Sequence, residues 1–174
     1  MNIEDLVIPL NGLAPGKHHF GKKLGKEFFA EFDEDAVLDA SADVSIDIVK
    51  SGTSSLAVTC SVHGELGVPC DRCLERVAFP IDFDRKFTVK FSADESQARE
   101  EEDVMILPEN EGNLDMKQYV YDYSMLCLPL RRVHDEGGCD AEMVRILEES
   151  REPESKAESP FAVLKGLYGD ENEI

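Results

Sequence analysis

Leu38-Asp39-Ala40-Ser41-Ala42-Asp43-Val44-Ser45-Ile46-Asp47-Ile48 alternates apolar and polar residues without a break. Successive side chains of an extended strand point to opposite faces, so a period of two marks a half-buried strand. Here the even positions form the dry face, and the Asp and Ser residues between them form a wet one. Ser51-Gly52-Thr53-Ser54 supplies a turn, after which Leu56, Val58, Cys60 and Val62 resume the alternation. The two runs read as a β-hairpin. A third run alternates on odd positions: Val77, Phe79, Ile81 and Phe83, then Phe87, Val89 and Phe91. Asp84-Arg85-Lys86 interrupts it without changing its parity, so one bent strand or two in succession both fit.

On the N-terminal side, Ile3 to Leu10 and Glu27 to Phe32 are strand-like, with turn signals at Asn11-Gly12 and Pro15-Gly16 between them. On the C-terminal side the character changes. Residues 92–113 hold eight acidic side chains against the single basic Arg99, which predicts an acidic loop flanking a short strand at Val104 to Leu107. A helix is expected next, capped by Asn113, with Leu114, Tyr121, Met125 and Leu128 at helical spacing and Pro129 ending it. Asp140 is placed to cap a second helix through Leu147. Residues 149–158 are charged and Pro-bearing, as linkers are, and Ser159-Pro160 opens a short C-terminal helix and tail over 159–174. The pattern predicts an α+β fold: a curved antiparallel β-sheet, barrel-like, from the N-terminal half, with C-terminal helices. Residues 1–148 are expected to form one domain.

Bulk composition narrows the function. The 174 residues carry 37 acidic and 18 basic side chains, a formal net charge of -19. Broad nucleic-acid binding draws its affinity from Lys and Arg displacing counterions from phosphates, so this balance argues against it. It suits solubility through self-repulsion, or an acidic face that meets a basic partner. Met1-Asn2-Ile3-Glu4-Asp5 lacks the basic and apolar regions of a signal peptide, and no apolar run approaches the ~20 residues of a membrane span. A cytoplasmic protein without a membrane partner is expected. In such a chain an odd count of five cysteines points to reduced thiols or a metal site ahead of a disulfide framework.

The chemistry concentrates in Cys70-Asp71-Arg72-Cys73. A two-residue gap lets two thiolates on one tight turn reach a tetrahedral ion, with Pro69, Gly64 and Gly67 favouring an irregular approach. Structural zinc takes four ligands, and the matching half is Val133-His134-Asp135-Glu136-Gly137-Gly138-Cys139, whose glycines free the loop to close. Cys70, Cys73, His134 and Cys139 are thus candidate zinc ligands. Packed or solvated thiols are the competing reading, since free Cys behaves as a small hydrophobe. Cys60 and Cys127 read as core on that ground, and His63 as a surface residue at a strand end. A redox dithiol would sit at a helix N-terminus, whereas this pair lies between strands. No phosphate-binding loop, nucleophile elbow or paired helical His is present, and no catalytic residue is assigned.

Four segments, in order, resemble the YceD family. Cys70-Asp71-Arg72-Cys73-Leu74-Glu75 is similar to its Cys-x-Arg-Cys-Leu-Glu signature, and Cys127-Leu128-Pro129-Leu130 to its Leu-Pro helix ending. Val133-His134-Asp135 to Cys139 resembles the Val-His-Asp…Cys loop of some members, and Ser159-Pro160-Phe161-Ala162-Val163-Leu164 the C-terminal Pro-Phe-Ala-Val-Leu segment. The resemblance implies a non-enzymatic role in the synthesis, processing or stability of large-subunit ribosomal RNA, that is, in ribosome biogenesis. With that role, the acidity predicts contact with a large-subunit precursor through a basic ribosomal protein or assembly factor, touching RNA only locally. Members with a second Cys-x-x-Cys differ here, where His134 and Cys139 stand. Arg72, Arg76, Arg131 and Arg132 are the candidate phosphate or partner contacts, against the plainer reading of surface ion pairs. A zinc-stabilised adaptor without a ribosomal role and a thiol oxidoreductase remain the alternatives.

Overall fold

The computed structural model describes residues 5–33, 35–52, 55–92, 103–108 and 111–150. Its elements in chain order are β1 (Val7–Pro9), β2 (Gly16–Leu24), α1 (Lys26–Ala30), β3 (Asp39–Lys50), β4 (Ser55–Pro69) and β5 (Arg76–Phe91). They continue with β6 (Val104–Leu107), β7 (Asn113–Asp115), α2 (Lys117–Leu126) and α3 (Ala141–Ser150). The fold is α+β. The chain divides into two compact units, Met1–Cys139 and Asp140–Ile174.

In the first unit β2 to β6 form one sheet in sequential order, and β1 pairs with β7 as a separate antiparallel ribbon. The alternation that opens at Leu38 is read directly by this sheet. Ala42, Val44, Ile46 and Ile48 are buried, and the residues between them are exposed or half-buried. Register pairs Ile46 with Cys60 and Ile48 with Val58, so both dry faces coincide. Cys60 is fully buried as expected, and burial, then the Asp84 carboxylate, push its thiol up to about 12. The third apolar run is one strand, β5, paired with β4 from Lys90 opposite Ser55 to Arg76 opposite Pro69. Pro80 fits within it because β6 covers only Thr88 to Phe91, leaving β5 an edge strand at Pro80 among the described residues.

Several expectations need correction. β6 runs parallel to β5, so the sheet is mostly but not wholly antiparallel. It is also open: β2 and β6 are its two edges, with no pairing between them among the described residues, so it is not a closed barrel. Glu27 to Phe32 is no strand: α1 occupies its start, turning Phe28 and Phe29 inward and stacking Phe32 on Tyr121 of α2 at 4.3 Å. The segment expected as turns between the first two strands holds β2, whose Phe20 and Leu24 are buried at a spacing of four residues, even in a two-residue period. Asn113 does not cap α2. Asn113–Asp115 is β7, and the Asp115 carboxylate accepts from the Lys117 amide at 2.9 Å instead. Gly64 and Gly67 lie inside β4 and do not break it. His63 is exposed as expected, but mid-strand, paired with Asp82 at 2.9 Å. Cys127 is half-buried at the end of α2, less enclosed than a core residue.

In the second unit, Asp140 accepts from the Met143 amide at 2.8 Å and so caps α3, which runs to Ser150, three residues beyond Leu147. Of the acidic loop, the expected strand at Val104–Leu107 is present; residues 93–102 and 109–110 lie outside the described residues, as do 151–158 of the charged linker and all of 159–174.

Candidate metal centre

The loop between β4 and β5 is the Cys70–Glu75 turn. The Cys70 amide donates to the Glu75 carbonyl at 2.9 Å, and the Leu74 amide to the Cys70 carbonyl at 3.0 Å. Leu74 closes the turn in the left-handed region at φ 62°, a conformation that costs a non-glycine residue of order 1–2 kcal/mol. The turn folds back both thiols: Cys70 and Cys73 are buried. The segment after α2 comes to meet them. The Asp71 amide donates to the Arg132 carbonyl at 2.7 Å, and the Asp71 carboxylate accepts from the Arg132 amide at 2.6 Å. The Arg132 guanidinium adds an ion pair to Asp71 at 3.4 Å. Beyond this clamp, Gly138 donates to the Asp135 carbonyl at 2.9 Å and Gly137 takes φ 81°, which turns Cys139 back toward the knuckle.

All four predicted donors are therefore brought together, with ligand atoms within 4.8 Å of one another. Sγ of Cys70 and Cys139 are 3.8 Å apart, and Cys73 Sγ and His134 Nδ1 are 3.5 Å apart. Zn–S bonds of about 2.3 Å and Zn–N bonds of about 2.0–2.1 Å at tetrahedral angles put two sulfurs about 3.8 Å apart and a sulfur and a nitrogen about 3.5 Å apart. The donor set thus fits a tetrahedral zinc ion. The other ring nitrogen of His134, Nε2, donates to the Arg76 carbonyl at 2.9 Å, which leaves Nδ1 with its lone pair toward the thiols.

Electrostatics favour the thiolate at Cys70 but pull His134 and Cys139 the other way. Burial by itself raises the Cys70 thiol, but hydrogen bonds from the backbone of Cys73, Arg72 and His134 and from the Cys73 side chain outweigh it and hold the thiol down at about 6. The Arg72 amide lies 3.5 Å from that sulfur. His134 is raised, first by its bond to the Arg76 carbonyl and then by the thiols. Cys139 is raised, first by burial and then by sharing protons with Cys70 and Cys73.

The four candidate arginines do not form one patch. Arg76 is held by Asp39 and, at 3.0 Å, by Glu65; these ion pairs lower the Asp39 carboxyl and raise the guanidinium. Arg132 is in the clamp. Arg72 and Arg131 are exposed and have no ion pair among the described residues. The clamp itself escaped the sequence, because Asp71 and Arg132 are far apart along the chain and carry no periodic signal. Replacing Asp71 with Ala is expected to cost about 1–2 kcal/mol, since it leaves the Arg132 amide without a charged acceptor. Urea unfolding of the metal-free protein measures that cost, and an unchanged midpoint would show the clamp to be idle.

No helix among the described residues is long and apolar enough to cross a membrane. A family model described as "Large ribosomal RNA subunit accumulation protein YceD" matches residues 58–168, a span that includes all four donors. No curated protein and no solved structure matches the chain.

Proposed function

This chain belongs to the YceD family, and on that premise we propose that it promotes accumulation of large-subunit ribosomal RNA in the cytoplasm by binding, not by catalysis. The observation that carries the reading is the family match over 58–168, which runs from β4 through the knuckle, the clamp and α2. In this reading zinc is structural. Cys70, Cys73, His134 and Cys139 fill all four positions of a closed site, whereas catalytic zinc keeps one open for water or substrate. Bound there, the ion would fix the β4–β5 turn against the segment after α2.

The partner is a large-subunit precursor, reached through a basic ribosomal protein or assembly factor. The charge of -19 supports a basic protein surface as the main contact and only local contact with RNA. Arg72 and Arg131 are the residues for that local contact, since Arg76 and Arg132 are engaged within the fold. The low Cys70 thiol also suits a thiol oxidoreductase. A low-pKa thiolate is equally what a metal ligand needs, and the pair sits on a turn between two strands and does not itself open a helix. Turnover of a disulfide substrate by the zinc-free protein would favour the enzyme.

Sedimentation of the purified protein with ribosomal subunits and their precursors tests the main reading. Co-migration with large-subunit particles at low salt is expected, weakened severalfold by Arg72→Ala with Arg131→Ala and unaffected in the small-subunit fractions. Absence of co-migration, together with unchanged large-subunit RNA levels in cells depleted of the protein, would overturn it.

A further inference from the structure

β6 is a four-residue apolar edge, Val104-Met105-Ile106-Leu107, and its pairing leaves one side open among the described residues. Thr88 donates to the Asp103 carbonyl at 2.9 Å and Ser92 to the Leu107 carbonyl at 3.0 Å. Alternate residues of a strand bond to the same neighbour, so Val104 and Ile106 direct their amides and carbonyls away from β5. Such a row of unpaired groups is a template for an added strand. In sequence the strand is bracketed by Glu100-Glu101-Glu102-Asp103 and by Glu109 and Glu111, which repel acidic segments and attract basic ones.

Beside this edge lies a pocket of about 290 Å³ lined by Phe87, Asp103, Val104, Met105, Tyr119 and Tyr123. Its walls are aromatic. Phe87 and Tyr119 have ring centroids 4.7 Å apart, and Tyr119 and Tyr123 4.5 Å. Arg85 already rests over the Tyr123 ring at 4.8 Å, so these rings do hold a guanidinium. Asp103 is exposed and has no ion-pair partner among the described residues. Aromatic faces joined to one carboxylate attract an organic cation by the ring quadrupole and by charge.

We propose that β6 accepts an extended basic polypeptide segment as a sixth strand, and that one of its Lys or Arg side chains enters the Phe87–Tyr119–Tyr123 pocket against Asp103. Backbone pairing supplies the affinity and the pocket supplies the preference for a cation. The partner is a protein and not an RNA strand: bases would stack on the same rings, but their phosphates would meet the Asp103 carboxylate of a chain with net charge -19. The site stands apart from the metal centre and does not require the ribosomal reading.

The probe is a fluorescent peptide of about eight residues alternating Lys and Val, a usual strand length. It is compared by anisotropy with the same peptide carrying Glu for Lys and with a single-stranded RNA oligonucleotide. The Lys peptide is expected to bind the full chain and the Glu peptide not. Asp103→Asn, which keeps a residue tolerant of the φ of 64° at that position, should weaken binding about tenfold, as should Tyr119→Leu. Ile106→Pro removes an outward amide and should weaken it further, while Asp82→Asn, at β5 on the opposite face of the sheet, should not. Thermal melting checks the fold, and Asp103→Asn, an exposed change, keeps the test open if Tyr119→Leu unfolds. Failure of the Lys peptide to bind, equal binding by Asp103→Asn, or tighter RNA binding lost in the same variants would overturn the proposal. Absence of co-migration with ribosomal particles would not.

Discussion

Replacing Cys73 with Ser is expected to abolish stoichiometric zinc and to lower the melting temperature, yet to leave the sheet folded. A ligand that binds only the folded state stabilises it by RT ln(1 + [L]/Kd), about 4 kcal/mol when free zinc stands at ~1,000 times Kd. Losing one of four donors forfeits that term, and the remaining donors leave buried Cys70 and half-buried His134 and Cys139 around an incomplete shell. The sheet survives because its core does not pass through the site: Ile46, Ile48, Val58, Cys60, Val62 and Val89 are buried along β3, β4 and β5. Elemental analysis and melting of both proteins, with and without a chelator, give the answer. A metal-free wild type purified under reducing conditions with zinc present, melting no higher than the variant, would dismiss the zinc assignment.

Gly64→Ala should be the more damaging change to stability, costing at least about 3 kcal/mol, the upper range for overpacking a close-packed site. A Cβ at this position would collide with the Ser41 carbonyl oxygen and lie 2.5 Å from Ala42 Cα on the neighbouring β3. Both obstacles are backbone, so neither can rotate away. Gly67→Ala, three residues on, is the control. The atoms nearest to its Cβ belong to the Arg76 and Asp39 side chains. Those groups are about half exposed, and disturbing their ion pairs should cost less than about 1 kcal/mol. Chemical denaturation of the two variants separates a close approach of strands from a general intolerance of side chains in β4; equal losses would refute the distinction.

The parts of the fold that the sequence disclosed are those in which burial follows a short period. β3, β4 and β5 each alternate for ten residues or more against one core, and the parity of each run survives in the register. β2 failed because only Phe20 and Leu24 mark its dry face, while His and Lys residues fill the rest of an edge strand. α1 failed for a related reason: Phe28, Phe29 and Phe32 favour a strand by propensity, and packing against Tyr121 decided for a helix. The four candidate donors were legible because Cys70 and Cys73 stand at a two-residue gap, and His134 and Cys139 share a loop that carries its own glycines. Asp71 and Arg132 were silent, since the clamp exists only once the turn and the distant loop meet. The aromatic pocket had a faint signal, Tyr119 and Tyr123 one helical turn apart and Phe83 and Phe87 even-spaced on one strand face, but no rule in the sequence brings those two pairs together.

The β1–β7 ribbon has a kinetic meaning. β3, β4 and β5 are joined by short turns and β2 reaches β3 through the single turn-and-helix segment of α1, whereas Val7 must find Asp115. Closing a loop of about a hundred residues carries the largest chain-entropy cost in the sheet system, so this ribbon forms late and opens early. Its opening does not stay local. The Met116 amide donates to the Leu6 carbonyl at 3.0 Å, and the Met116 carbonyl in turn accepts from Val120 in the first turn of α2. Release of Leu6 and β1 therefore loosens the start of the helix that carries Tyr119 and Tyr123, and β1 becomes a latch on the aromatic wall beside β6.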